Sequence, residues 1–227
     1  MLSAEMVTVE TNLLRVADLV VFSAATLKDR LRVGNRSAVV RNGCDYSRFA
    51  TAPPVRTSDR ITIGYVGAID RWFDAALVNR CVETCPEWDF VLAGSTAGLP
   101  SLALRPRPNL KLLGEVDYDD VPGLVAGWDV CFIPFADTEL TRCVNPVKVY
   151  EYLAAGRPTV ATRLPELRLL DPGLVRLARA AGGEFVDGLR AAVAERHDGA
   201  SAARRQAWAS RQTWGARADE FLTVLQA

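Results

Sequence analysis

Short runs of β-branched, aromatic and leucine residues recur along the chain, at 18–24 (DLVVFSA), 37–43 (SAVVRNG), 61–67 (ITIGYVG), 89–94 (DFVLAG), 109–114 (NLKLLG), 129–135 (DVCFIPF) and 158–162 (PTVAT). Several are apolar at consecutive positions, as in strands covered on both faces. Between several of them lie stretches with helical periodicity, clearest at 74–84 and 145–155. This alternation predicts an α/β chain whose parallel sheet carries helices on each side.

The pattern divides the chain. Residues 52–58 (APPVRTS), with two prolines and small polar side chains, continue neither neighbour and read as a linker. Residues 1–51 hold one strand-helix-strand piece, too small to form a core of its own. A bare edge on the 18–24 strand invites pairing with another chain. The main domain is 59–212. A long helical stretch over 202–227, with Trp208, Trp214, Phe221 and Leu225 available for docking, ends in a C-terminal helix at 213–227.

Open parallel sheets bind ligands at the carboxyl ends of their strands, so the loops after Gly67, Gly94, Gly114 and Phe135 become candidates. Composition narrows what such a ligand is. Across 227 residues, 27 basic side chains balance 27 acidic ones. No global field draws the chain to nucleic acid or an acidic membrane, and an anion must be bound locally. Lysine occurs only at 28, 111 and 148. Cys44, Cys81, Cys85, Cys131 and Cys143 lack paired spacing and His197 is the single histidine, so reduced thiols packed in the core are expected, and no metal site. The first residues lack a basic segment followed by a long apolar one, and no apolar run reaches the roughly 18 residues of a membrane span. A cytoplasmic chain, at most peripheral to the inner face of the membrane, is expected.

The 145–155 helix carries the candidate chemistry. Asn145 suits the N-cap, Pro146 the first helical position and Gly156 the position past the end. Val147, Tyr150 and Ala154 have the spacing of a buried stripe, while Lys148 and Glu151 share another face. A lysine in the first turn is disfavoured by roughly 0.3–1 kcal/mol unless an anion sits there too. Two readings follow: an ordinary i, i+3 ion pair on a solvated face, or a diphosphate site made by Lys148 and the free amides of the turn, with Glu151 accepting from a ribose diol. The helix starts at the carboxyl edge of the predicted sheet, which favours the second.

NPVKVYEYLAAGRPTVAT, together with GYVGAIDRWFD, FVLAGS, NLKLLGEVDYDDVPGLVAGWDVCFIPF and the early RNGCDYSRF, resembles bacterial nucleotide-sugar-dependent glycosyltransferases of the GT-B fold, in the large retaining family numbered four. The similarity runs from 18 to 167, with the motifs in the family's order and spacing. It implies a Rossmann-like donor-binding domain from residue 59, a crossing from the acceptor domain at 42–49, and a last helix packed back across the cleft. By the resemblance Glu151 holds the donor ribose and the turn from Pro146 to Val149, which includes Val147 and Lys148 and follows Asn145, meets the diphosphate. Gly114, Glu115 and Val116 lie near the base, and Gly67, Gly94 and Ser95 belong to the two glycine loops. No cofactor is implied; the substrate is a nucleoside-diphosphate sugar, UDP- or GDP-linked.

Two positions depart from the family. Cys143 stands where many members have a second glutamate facing the transferred sugar, and only Arg71 follows the first strand where members carry an arginine and a lysine. A branch with wording like NPLKLYEYLAAGKP shares these departures. No catalytic residue is assigned; Arg71 and Lys148 are the candidate leaving-group stabilisers.

The functional readings are then a donor half of a glycosyltransferase in polysaccharide biosynthesis, either a fragment or a subunit whose acceptor domain comes from a second chain or a homo-oligomer, and a non-catalytic nucleotide-binding or interaction module. A nicotinamide dehydrogenase fails, because GYVGAID lacks the spacing of GxGxxG. Trp72, Trp88 and Trp128 are read as packing at element ends, Asp119 and Asp120 as helix-start acids, and His197 as a solvated loop residue.

Overall fold

The computed structural model describes residues 4–31, 33–34, 36–100, 103–181 and 183–226. The first part of the chain runs α1 (Ala4–Val16), β1 (Leu19–Phe22), α2 (Ala25–Leu31) and β2 (Arg36–Val39). Strands β1 and β2 pair in parallel as a small sheet of their own, so the expected strand-helix-strand piece is present. The sequence pattern predicted no element at α1. This helix leaves Met6, Val9, Leu13 and Val16 exposed on one flank.

After α3 (Tyr46–Ala50), six strands form the main sheet: β3 (Thr62–Val66), β4 (Asp89–Ala93), β5 (Leu110–Gly114), β6 (Val130–Ile133), β7 (Thr159–Thr162) and β8 (Arg176–Ala178). Their order is β5-β4-β3-β6-β7-β8, every neighbouring pair parallel. This is the doubly wound order in which the chain starts at the centre, builds outward one way, then returns and builds the other way. Strands β3, β4, β6 and β7 are buried at every position, as consecutive apolar runs require. Strand β8 escaped the sequence pattern because Arg-Leu-Ala holds no apolar run; pairing with β7 makes it a strand.

Helices α4 (Ala75–Thr84) and α8 (Glu184–Ala194) pack together on one face, while α5 (Val121–Gly127) and α7 (Val147–Ala154) lie against α3 on the other. Asp74 caps α4, its Oδ1 accepting from Leu77 N at 2.8 Å. The expected linker, 52–58, has no regular structure but is seated on α5: Val55 N donates to Gly123 O at 2.9 Å, and a side chain at Gly127 would meet the Val55 carbonyl. The 202–227 stretch is two helices, α9 (Gly199–Ala209) and α10 (Trp214–Gln226). Between them, Gln212 O accepts from Cys44 N and Cys44 O from Trp214 N, at 3.0 and 3.3 Å. At the break the chain crosses the segment before α3, where a Cβ on Gly43 would lie 2.8 Å from Gln212 O. No described helix is long and apolar enough to cross a membrane.

The free thiols of Cys44 and Cys81 are buried, which pushes both from an ordinary 9.0 up to about 12. Burial raises Cys131, Tyr65 and Tyr152 as well. An acid whose folded pKa is raised contributes stability that is complete below its unfolded pKa and is lost as pH climbs toward the folded value. Each of the two thiols is therefore expected to withdraw roughly 1.4 kcal/mol per pH unit above about pH 9. Urea midpoints measured at pH 8, 9, 10 and 11 should fall progressively; a flat series would mean that the thiols titrate as if exposed.

Candidate functional site

The direction of sheet building reverses between β3 and β6, which opens a crevice at their carboxyl ends. Its floor is backbone. Gly67, Gly94 and Gly114 end β3, β4 and β5 with φ of +146°, +141° and +71°. Gly67 N donates to Ala93 O at 2.9 Å and Gly94 N to Gly114 O at 2.6 Å, so the three strand ends are laced together. At Gly94 a Cβ would stand 2.7 Å from the Gly67 carbonyl carbon and closer still to its oxygen. Such an approach requires glycine.

Helix α7 begins on the opposite wall. Lys148 lies over the floor, its Cε 3.4 Å from where a Gly67 Cβ would be. Its Nζ donates to Glu151 Oε2 at 2.9 Å, and Tyr118 Oη donates to Glu151 Oε1 at 3.3 Å. The carboxylate is only 2% exposed, whereas Tyr118 is 46% exposed. Lys148 and Glu151 do form an i, i+3 pair, but not on a solvated face: Lys148 lines the cavity, while Glu151, buried and held by Lys148 and Tyr118, is not itself part of the lining. The cavity between floor and helix measures ≈ 310 Å³ and is lined by Gly67, Gly94, Ser95, Glu115, Val116 and Lys148 among others. On the helix side its lining is Lys148, in the first turn of α7, where backbone amides lack helical acceptors. Lysine and amides together favour an anion.

The structure corrects the reading of Asn145. The N-cap position of α7 is Pro146, with no side-chain capping bond. Asn145 Oδ1 instead accepts from Asn42 N and Tyr150 Oη, both at 3.0 Å, partners that sequence spacing does not reveal. The stripe expected from Val147, Tyr150 and Ala154 is also too narrow. Every residue from Val149 to Ala154 is buried and Val147 is half-buried, because α3 and α9 cover the outer side of the helix.

Arg71 is exposed in the turn before α4 and does not line the cavity. Cys143 ends the short helix α6 (Glu139–Arg142), half-buried and likewise off the cavity wall. Glu115 is exposed and Val116 half-buried at the rim. Trp72 Nε1 donates to Ala68 O, Trp88 and Trp128 are buried, and His197 is exposed in a turn. Asp119 pairs with Arg48, while Asp120 takes the N-cap position of α5 without a side-chain bond. Cys81 and Cys85 are buried in the core. Among the described residues, no three His, Cys, Asp or Glu converge as a metal ion requires.

Tyr118 was missed. Between two aspartates it reads as part of an acidic helix start, yet it follows β5 at the sheet's carboxyl edge, which was the available signal. Arg48 lies 5.1 Å from its ring centroid and Phe49 meets it edge-on at 6.4 Å. Burial, then the neighbouring Glu151 carboxylate, push its hydroxyl up to about 12, so it remains a donor at neutral pH.

Comparison with known proteins agrees with this arrangement. TuaH of Bacillus subtilis (strain 168), a protein assigned to teichuronic acid biosynthesis as a glycosyltransferase, is 28% identical over 135 residues, covering 56% of this chain and 34% of TuaH. The chain thus spans about a third of that relative. Anabaena HepE in complex with UDP-glucose superposes with a TM-score of 0.74 at 19% identity, over 99% of this chain and 68% of HepE. A glycosyltransferase from Rickettsia africae gives 0.73 at 12% identity, over 98% and 66%. These structures share the fold, an α/β sheet flanked by helices as in GT-B glycosyltransferases. Residues 60–198, more than half of the chain, match the family described as Glycosyl transferases group 1, and the chain belongs to that family.

Proposed function

We propose that this chain is the donor-binding half of a retaining glycosyltransferase that moves a sugar from a UDP- or GDP-sugar to a glycan or lipid-linked acceptor in polysaccharide biosynthesis. The observation that carries the reading is Glu151, a desolvated carboxylate between Lys148 and Tyr118 beside a glycine floor. A ribose diol is a fitting partner for it, since two vicinal hydroxyls donate where Lys148 and Tyr118 now do. Lys148, released toward the floor, and the first-turn amides then face the diphosphate. In the transfer, the bond from the anomeric carbon to the diphosphate oxygen breaks and one to the acceptor oxygen forms. The departing diphosphate gains negative charge, which Lys148 and the amides are placed to stabilise. Arg71 has no such placement in this conformation.

In this reading residues 59–212 are the donor domain, 52–58 the connection, and 213–227 a helix returning across the first segment, where Arg217 Nε donates to Asn42 O at 3.0 Å. The sheet of β1 and β2 and the apolar flank of α1 meet the acceptor half, provided by further chain or by a partner. HepE in complex with UDP-glucose supports a UDP-sugar first, and TuaH a role in polysaccharide biosynthesis. Cys143, where the resemblance puts a glutamate, and the position of Arg71 favour the second reading, a nucleotide-binding module without transfer.

Calorimetric and thermal-shift titrations with UDP, GDP and ADP test this. A nucleotide at 100 times its Kd should stabilise the fold by about 2.7 kcal/mol. Glu151→Gln and Lys148→Met, measured below their own melting temperatures, should lose that response. Wild-type protein that is folded yet silent to all three nucleotides sinks the donor-site reading. Binding together with release of nucleoside diphosphate from UDP-glucose separates transferase from module.

A further inference from the structure

A second desolvated carboxylate lies outside the cavity, between parts of the chain distant in sequence. Glu166, in a 3-10 turn after β7, has a side chain with no exposed surface. Its Oε1 accepts from the backbone N of Ala25, the first residue of α2, at 2.7 Å. Its Oε2 accepts from Arg41 Nε at 2.8 Å and from Asn145 Nδ2 at 3.5 Å. Asn145 in turn takes Asn42 N on its Oδ1, and its backbone oxygen accepts from Asn42 Nδ2 at 2.6 Å. Ala25, Arg41 and Asn42 belong to the segment before the main sheet; Asn145 and Glu166 flank α7 and β7.

We propose that Glu166 and Asn145 are positioning residues that lock the 25–42 segment against the start of α7 and so set the orientation of the turn carrying Lys148. The inference rests on the donor-site reading, because the purpose it assigns to the lock is alignment of a diphosphate-binding turn. The physical argument is one of satisfaction. A carboxylate without solvent access is costly unless its oxygens are filled, and two of its three donors come from the N-terminal segment. If that segment swings away, Glu166 loses Arg41 and the Ala25 amide together, and Asn145 loses both bonds from Asn42. The residue before Pro146, three positions before Lys148, is then held only by Tyr150 Oη and Glu166. Coupling is reciprocal: a diphosphate that prefers the aligned turn tightens the contact with the 25–42 segment.

The test compares UDP with uridine, or GDP with guanosine if the titrations above select that base, on wild type, Glu166→Gln and Arg41→Ala. The second variant removes a half-exposed side chain but leaves the buried Glu166 carboxylate without its charge partner, so both variants are titrated below their own melting temperatures. Misalignment of the turn should weaken the diphosphate at least tenfold while changing nucleoside affinity less than twofold. Equal weakening of both ligands, or none in a folded variant, overturns the proposal. Amide hydrogen exchange provides an arm that needs no ligand. Glu166→Gln should accelerate exchange at 25, 42 and 149 together by tenfold or more, with β4 unchanged; acceleration confined to α2 overturns the coupling. If wild type binds no nucleotide, the donor-site reading fails on its own, and the exchange arm still decides whether the lock exists.

Discussion

Alanine at position 94 is expected to destabilise the chain by roughly 4 kcal/mol or more, a magnitude reserved for severe and specific defects. Two costs combine. The backbone there has φ +141°, a conformation that side chains strain, and the added carbon falls on the Gly67 carbonyl. Because the obstacle is backbone, no rotamer change relieves it. The carboxyl ends of β3 and β4 must separate, which endangers the bonds from Gly67 N to Ala93 O and from Gly94 N to Gly114 O. Gly114→Ala is the matched control: its φ is also positive, +71°, but a Cβ there has nothing within 4 Å. It should cost only the left-handed penalty of about 1–2 kcal/mol. Urea denaturation of the two variants gives both numbers, and a Gly94→Ala protein within 1 kcal/mol of wild type would show that the floor is not packed as described.

The second large effect comes from separating Lys148 and Glu151. Truncating one partner of a buried ion pair leaves the other charge desolvated, typically at 3–5 kcal/mol. For Lys148→Ala roughly 3 kcal/mol is expected, toward the low end because Tyr118 keeps its bond to Oε1. Glu151→Gln, which removes the buried charge itself and leaves a lysine with access to water, should cost only about 1 kcal/mol. The asymmetry is the informative part. Equal small losses from both substitutions would mean a solvated ion pair, the bland reading of the same spacing. A nucleotide should narrow the difference for neither variant, since each removes a group the ligand uses.

These two sites show different degrees of legibility. Gly67, Gly94 and Gly114 are visible as strand-ending glycines in the text of the sequence, and their location at the carboxyl edge follows from the alternation of elements. That of these three Gly94 is the one pressed against another backbone is not visible, because it depends on how closely β3 and β4 converge. Lys148 and Glu151 are likewise assigned to one face by helical periodicity. Asn145 was legible as a helix start and misread as a cap, since the local rule knows nothing of Asn42, 103 residues away. Tyr118 escapes local reading because it sits inside an acidic helix start, and Arg71, a candidate by its position in sequence, does not line the cavity.

What the sequence determined by itself is what depends on short range: strands where consecutive apolar residues leave no polar face, helices where the 3.6-residue period holds, ends where glycine and proline stand. Parallel order and the crevice follow from those, since strand-helix alternation admits few ways to bury both faces of a sheet. Only the tertiary structure decided the break between α9 and α10, the strand β8, the burial that takes the Glu151 carboxylate out of solvent, and the bonds of Glu166 to Ala25 and Arg41. Each of these is set by partners far along the chain, where desolvation and shared hydrogen bonds outweigh any local preference.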